Sequence, residues 1–196
     1  ELVGSLLGIA GAILVIYVLY TAVAKLPKED RDPIFAALYL ILGSILFWAL
    51  FEQAGSSLNL FTDRHVDRGG VPASIFQSIN PIYIILLGPL FAWLWTALGR
   101  RGLEPPAPMK FGLGVIQLGA GFLVLVFGAQ AVGMANMTPV VFIFLIYLLH
   151  TTGELCLSPV GLGAMNRLAP AHLASLLMGT WVFASATGHL VPGLVA

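Results

Sequence analysis

Residues 111–153 read FGLGVIQLGAGFLVLVFGAQAVGMANMTPVVFIFLIYLLHTTG, a stretch without a single Asp, Glu, Lys or Arg. Its apolar residues follow one another continuously, with no alternation between two faces. A bilayer-crossing helix takes about 20 such residues, so the stretch is too long for one span. The turn-rich sequence GMANMTP at 133–139 divides it into two.

The rest of the chain has the same character. Of its 196 residues 59% are hydrophobic and 9% charged, and mean hydropathy is +0.96. No soluble domain of this size hides so much apolar surface. In lipid the backbone must satisfy its own hydrogen bonds, and continuous apolar runs favour helices over the alternating strands of a barrel. The fold class expected is all-α, a polytopic transmembrane helical bundle. Cutting at charged and Pro/Gly-rich stretches leaves spans at 2–24, 33–61, 72–98, 111–131, 138–163 and 171–195.

Alternating loops then carry unequal positive charge. One set holds Lys25, Lys28, Arg31, Arg100, Arg101, Lys110 and Arg167; the other holds Arg64 and Arg68. The first set is expected to face the cytoplasm. That orientation puts both ends of the chain outside, and the first residue is not Met. Further chain is therefore expected at one or both ends. The lone Cys156 excludes an intrachain disulfide.

Only two of the nine acidic residues interrupt the apolar runs away from any basic residue: Glu52, in FWALFEQ at 47–53, and Glu154, in GELCLSP at 153–159. A carboxyl group at membrane depth needs a partner, a proton or a purpose. Spacing of four predicts one helical stripe of Trp48, Glu52 and Ser56, and a second of His150, Glu154 and Ser158 that ends against Pro159. Duller readings remain open: Glu52 can snorkel to the outer interface, and Glu154 can be a permanently protonated packing position. Asn80 beside Pro81 reads either as a ligand group or as interhelical glue. Trp181, about ten residues into its span, reads as packing or as a cavity wall, with Ser185 and His189 on the following turns. No metal-ligand spacing, phosphate-cradling loop, nucleophile elbow or nucleic-acid patch is present in the sequence. No metal, cofactor or nucleic-acid partner is expected, and no catalytic residue is assigned.

Three motifs in order, FWALFEQ at 47–53, Asn80-Pro81, and GELCLSPVGL at 153–162 followed by Leu168-Ala169-Pro170, resemble the C-terminal half of the proton-dependent oligopeptide transporters of the major facilitator superfamily. The resemblance implies that residues 1–24 are an extra helix lying between the two halves of the fold. Residues 25–196 are then a C-terminal bundle of transmembrane helices seven to eleven, without the N-terminal half or the last helix. It implies that Glu154, with Ser158 one turn on, engages a peptide's amino terminus, and that Asn80 meets its backbone or amino end. Trp48 and Trp181, with Ser185, correspond to pocket walls. Glu52 corresponds to the helix-seven acid linked to proton coupling, and Glu154 shares in it. The expected activity is symport of di- and tripeptides with protons, the coupling ion, across a bacterial inner membrane, by alternating access between two bundles.

The physics of the residues is compatible with that reading. A zwitterionic peptide needs an anion and a cation; these spans supply the anion, and with every Lys and Arg assigned to a loop the cation is expected from the absent half. A carboxylate that alternately holds and loses a salt bridge can gain and release a proton. The rival readings are a same-family symporter of another solute, such as nitrate or an amino-acid conjugate, a membrane-embedded enzyme pairing Glu154 with His150, and a structural subunit whose buried acids hold helices together.

Overall fold

The computed structural model describes residues 2–133, 136–168, 170 and 173–190. Seven α-helices account for most of them: α1 (Leu2–Lys25), α2 (Lys28–Phe51), α3 (Ser57–His65), α4 (Ile79–Arg100), α5 (Ala107–Val132), α6 (Val141–Leu168) and α7 (Ala174–Leu190). Among the described residues five stretches are long and apolar enough to cross a bilayer: Gly8–Lys25, Lys28–His65, Ala73–Arg100, Ala107–Val132 and Val141–Leu168. The sixth expected span is represented by the 17 residues of α7. Its expected ends, at 171–172 and 191–195, lie outside the described residues.

The expected division of the uncharged stretch is where the chain turns. Helix α5 ends at Val132, Gly133 takes a positive φ of 76° that only glycine adopts without strain, and α6 starts at Val141. Between them a two-residue strand, β2 (Thr138–Pro139), pairs in parallel with β1 (Val66–Asp67), which follows α3. The loops after the second and fourth spans therefore share one end of the molecule. That is what an alternating six-span parse requires, and a missed or invented helix between them would have separated them.

Three expectations about helix boundaries are corrected. The second span is not one α-helix: α2 stops at Phe51, Glu52–Gly55 form a 3-10 turn, and Ser56 (φ −119°, ψ −99°) is not helical before α3 begins. The predicted stripe of Trp48, Glu52 and Ser56 is broken there, because spacing of four aligns side chains only in a continuous α-helix. The third span begins with a 3-10 turn, Ala73–Ser78, and α4 starts at Ile79, so Asn80 and Pro81 form its first turn. Proline disrupts nothing in a first turn, where N–H groups lack intrahelical acceptors. Lastly, Lys110, assigned to a loop by sequence, lies in the first turn of α5 and is 6% exposed.

Two compact units result, one made of residues 1–50 and 159–195, the other of 51–158. In the first, α1 runs along α7, and the core includes Val18, Ala22, Ile34, Ala37, Ile41, Phe47, Leu177 and Trp181. In the second, Leu58, Val66, Phe76, Ile79, Leu125, Ile143, Ile146 and Tyr147 form one cluster. Large apolar side chains such as Ile13, Ile16, Ile85 and Phe127 point outward. That surface suits a hydrocarbon environment and makes the chain a membrane protein.

Candidate functional site

The second unit is organised by a seam between α5 and α6. Beyond Lys110, the buried positions of α5, namely Phe111, Gly114, Leu118, Gly121, Leu125 and Gly128, alternate steps of three and four. This is the heptad spacing that keeps one face against a neighbour. Its glycines bring the backbones together. A Cβ on Gly114 would stand 2.8 Å from the carbonyl oxygen of Gly153, and a Cβ on Gly153 would stand 2.8 Å from that of Gly114. Further along, a Cβ on Gly121 would meet the His150 ring at 2.8 Å, and one on Gly128 would overlap the ring of Phe142. Close approach of small residues is how helices associate where lipid offers no hydrophobic drive. Gln117 adds a polar tie, its Nε2 donating to Cys156 Sγ at 3.4 Å.

With one face of α6 committed to α5, the adjacent face carries a polar cluster. Asn80, in the first turn of α4, donates from Nδ2 to Glu154 Oε2 at 3.0 Å and to Thr151 Oγ1 at 3.1 Å. Thr151 is fully buried and donates its own hydrogen to the carbonyl of Tyr147 at 2.7 Å. Asn80 and Glu154 are half-buried. Two residues named separately from the sequence, 74 positions apart, are thus joined directly. Thr151 is not singled out by the sequence; the only available signal is its place one turn before Glu154.

Ser158 follows Glu154 by one turn on the unbroken helix α6 and is half-buried. His150 does not join them. It is 1% exposed, lies on Gly121, and has the rings of Phe122 and Phe51 at 4.9 and 6.0 Å. The Leu118 carbonyl lies beside it, but neither imidazole nitrogen makes a hydrogen bond of standard geometry among the described residues. The acid/base pair that the enzyme reading requires is therefore not assembled.

Glu52 is half-buried in the 3-10 turn Glu52–Gly55. Its polar neighbours satisfy one another locally, since Ser56 and Ser57 both donate to the side-chain carbonyl of Gln53. In the first unit, Trp48 is half-buried, with the His189 ring at 4.7 Å and the Phe47 ring edge-on at 5.4 Å. Trp181 is buried with its indole against Gly161, where a Cβ would overlap the ring. Ser185, one turn along α7, is half-buried.

At the opposite end of the second unit from β1 and β2 stands a cation site. Lys110 pairs with Glu104, and its ammonium lies 4.4 Å from the centre of the Trp95 ring. This ties the end of α4 to the start of α5.

Known proteins share both sequence and fold with this chain. A family model described as the POT family matches residues 5–196. A peptide transporter of Yersinia enterocolitica, YePEPT, is 40% identical over 194 residues, covering 95% of this chain and 38% of the relative. Dipeptide and tripeptide permease B of Salmonella typhimurium is 32% identical over 198 residues, covering 99% and 40%. The crystal structure of a peptide transporter POT in complex with sulfate superposes with a TM-score of 0.85 at 34% identity, covering 98% of this chain and 40% of that one. The chain thus spans about two-fifths of the length of the relatives it matches.

Proposed function

The chain belongs to the POT family, with the all-α major facilitator fold of its solved members, and from that premise we propose that it forms the C-terminal part of a proton-coupled importer of di- and tripeptides. Residues 25–196 supply transmembrane helices seven to eleven, and residues 1–24 the extra helix before them. The observation that carries the reading is the bond between Asn80 and Glu154, which places an amide and an acid together on one polar face. An acid so placed suits the ammonium of a peptide, and Ser158 one turn away extends the same stripe.

Glu154 is the amine anchor and, with Glu52, one of two proton-exchanging acids. Trp48, Trp181 and Ser185 are assigned to substrate contact on the family motifs alone. The cationic partners that a peptide carboxylate and these acids require come from the N-terminal half of the fold, and the setting is a bacterial inner membrane crossed many times. The activities for which the relatives are named, a peptide transporter and a dipeptide and tripeptide permease, support peptides as the cargo.

Uptake of labelled dipeptide into proteoliposomes containing the intact protein, with and without an inward proton gradient, tests the proposal. Accumulation above the outside concentration only with the gradient is the expected result. Equal uptake under both conditions would remove proton coupling, and no saturable uptake of any peptide would remove the substrate class.

A further inference from the structure

The hydrogen bonds around Asn80 have a fixed direction. Its Nδ2 meets two acceptors, Thr151 Oγ1 and Glu154 Oε2. A carboxylate has no hydrogen to give. The one hydroxyl hydrogen of Thr151 is already committed to the carbonyl of Tyr147 at 2.7 Å, so towards Asn80 this oxygen can only accept. Thr151 is fully buried and β-branched, which leaves its hydroxyl little rotational freedom. Asn80 therefore stands with its NH2 group towards α6 and its Oδ1 turned away, and among the described residues that oxygen accepts no hydrogen bond.

We infer that Thr151 is a positioning residue that sets which way round the Asn80 amide stands, making Asn80 an acceptor for an N–H donor of the ammonium class instead of a donor for a carbonyl. The inference rests on the transporter reading above. Glu154 cannot hold the amide alone throughout a cycle, because an ammonium or a proton on its carboxyl group competes for the same oxygens. Thr151 is the acceptor that stays. With it in place, Asn80 Oδ1 and the Glu154 carboxylate offer a substrate oxygens only, and an end group without N–H leaves Oδ1 unpaired. Sites that bury such an unpaired group discriminate strongly against the analogue that causes it.

The neighbouring Thr152 provides a control of the same composition. Among the described residues its hydroxyl bonds only to the carbonyls of Leu148 and Leu149 within its own helix.

The test compares two probes on the intact protein in proteoliposomes: alanyl-alanine, and propionyl-alanine, the same skeleton with the amino group replaced by hydrogen. The quantity read is the ratio of their kcat/KM values. Thr151→Val should lower the parent's ratio by about ten-fold or more, the order expected for one hydrogen bond to a charged group. The change should lie mainly in the KM for alanyl-alanine. Thr151→Ser should restore the ratio, and Thr152→Val should leave it unchanged. Thr151→Ala removes the same hydroxyl and carries the same expectation, so poor yield of one variant leaves the other to decide. A parent-like ratio in Thr151→Val or Thr151→Ala overturns the inference, as does an equal fall in Thr152→Val. A parent ratio near one overturns it while leaving peptide transport standing, whereas a parent that takes up neither probe fails the transporter reading and this inference with it.

Discussion

Gly114 on α5 and Gly153 on α6 face each other so closely that a Cβ on either would stand 2.8 Å from the other's carbonyl oxygen. Neither obstacle is a flexible side-chain end; both are backbone, so a methyl group can be admitted only by parting the helices. Gly153→Ala should therefore destabilise the protein by about 1–3 kcal/mol, the usual cost of overpacking. A Cβ on Gly112 or Gly119 of the same helix α5 would have nothing within 4 Å of it. Gly112→Ala and Gly119→Ala should be neutral or slightly stabilising, since alanine is the better helix former. Thermal unfolding of the purified protein in detergent, read as loss of monodispersity, checks all three. Equal melting temperatures for Gly153→Ala and Gly119→Ala would show that the seam is not tight.

Because α5 fixes one face of α6, the seam also determines where Glu154 points. Glu154→Gln keeps a side chain able to bond Asn80 while removing the charge, so the protein should remain folded and membrane-inserted. Its affinity for peptides should fall about ten-fold or more, matching the loss of a charged hydrogen bond worth on the order of 1.5–3 kcal/mol. Gradient-driven accumulation should be lost. Peptide binding by calorimetry and uptake by liposomes measure the two effects separately. Parent-like values in both would remove Glu154 from the role of amine anchor.

Sequence makes some of this visible and hides the rest, for identifiable reasons. Glu52, Glu154 and Asn80 stand out because acids and amides are costly in lipid. Their partners do not stand out, since nothing local to Asn80 points to Thr151 or Glu154. The break at Glu52–Gly55 is hidden because FWALFEQA contains no proline, and Gly55-Ser56 resembles many tolerated helix interiors. Conversely, prolines are weaker span limits than the sequence suggests. Pro33 lies inside α2, Pro81 in the first turn of α4 and Pro108 in the first turn of α5. A proline near a helix start is compatible with helix, so helices begin at positions the prolines do not mark. The glycines are legible as packing residues, but a period of seven on α5 acquires meaning only once α6 is seen to oppose it.

Cutting the chain at charged residues places Lys110 in a loop, whereas its ammonium is held between Glu104 and the face of Trp95. Glu104 is nearly half exposed, so its ion pair with Lys110 contributes little. The ring contact, being less hydrated, should contribute about 0.5–2 kcal/mol. Lys110→Met keeps the aliphatic stem and should lose roughly that much stability, whereas Glu104→Gln should lose less. Melting temperatures at low and high salt distinguish the contributions. If Glu104→Gln is the more harmful change and salt abolishes the difference, the ion pair and not the ring holds Lys110.

The pairing of Val66 with Thr138 makes the topology testable without any assumption about orientation. Adjacent strand positions lie within the Cα separation a disulfide spans, about 4.4–6.8 Å. A Val66→Cys/Thr138→Cys double variant, made with Cys156→Ala, should cross-link under mild oxidation. A reagent that cannot cross the membrane should modify Arg64→Cys in intact cells, and should leave Lys28→Cys, Arg101→Cys and Arg167→Cys unmodified. Modification at 28 or 101 would reverse the orientation, and failure to cross-link would separate the two loops.

Glu52 occupies the point where α2 gives way to a 3-10 turn, and a stretch of 3-10 geometry in the middle of a span often marks a hinge. An acid at a hinge is well placed to link its proton to a change of shape, because the charged and neutral forms favour different surroundings. We therefore expect Glu52 to couple protons to opening of the outer face and not to grip the charged ends of the peptide. Glu52→Gln fixes the side chain in a neutral form, standing in for the protonated acid. Peptide exchange without a gradient should survive in this variant while uphill uptake fails, and the dependence of uptake on pH should flatten, because an amide does not titrate. Both modes can be measured in one liposome preparation, with peptide affinity determined alongside. Loss of exchange, uptake and affinity together would move Glu52 into the binding site, and intact uphill uptake would release it from coupling.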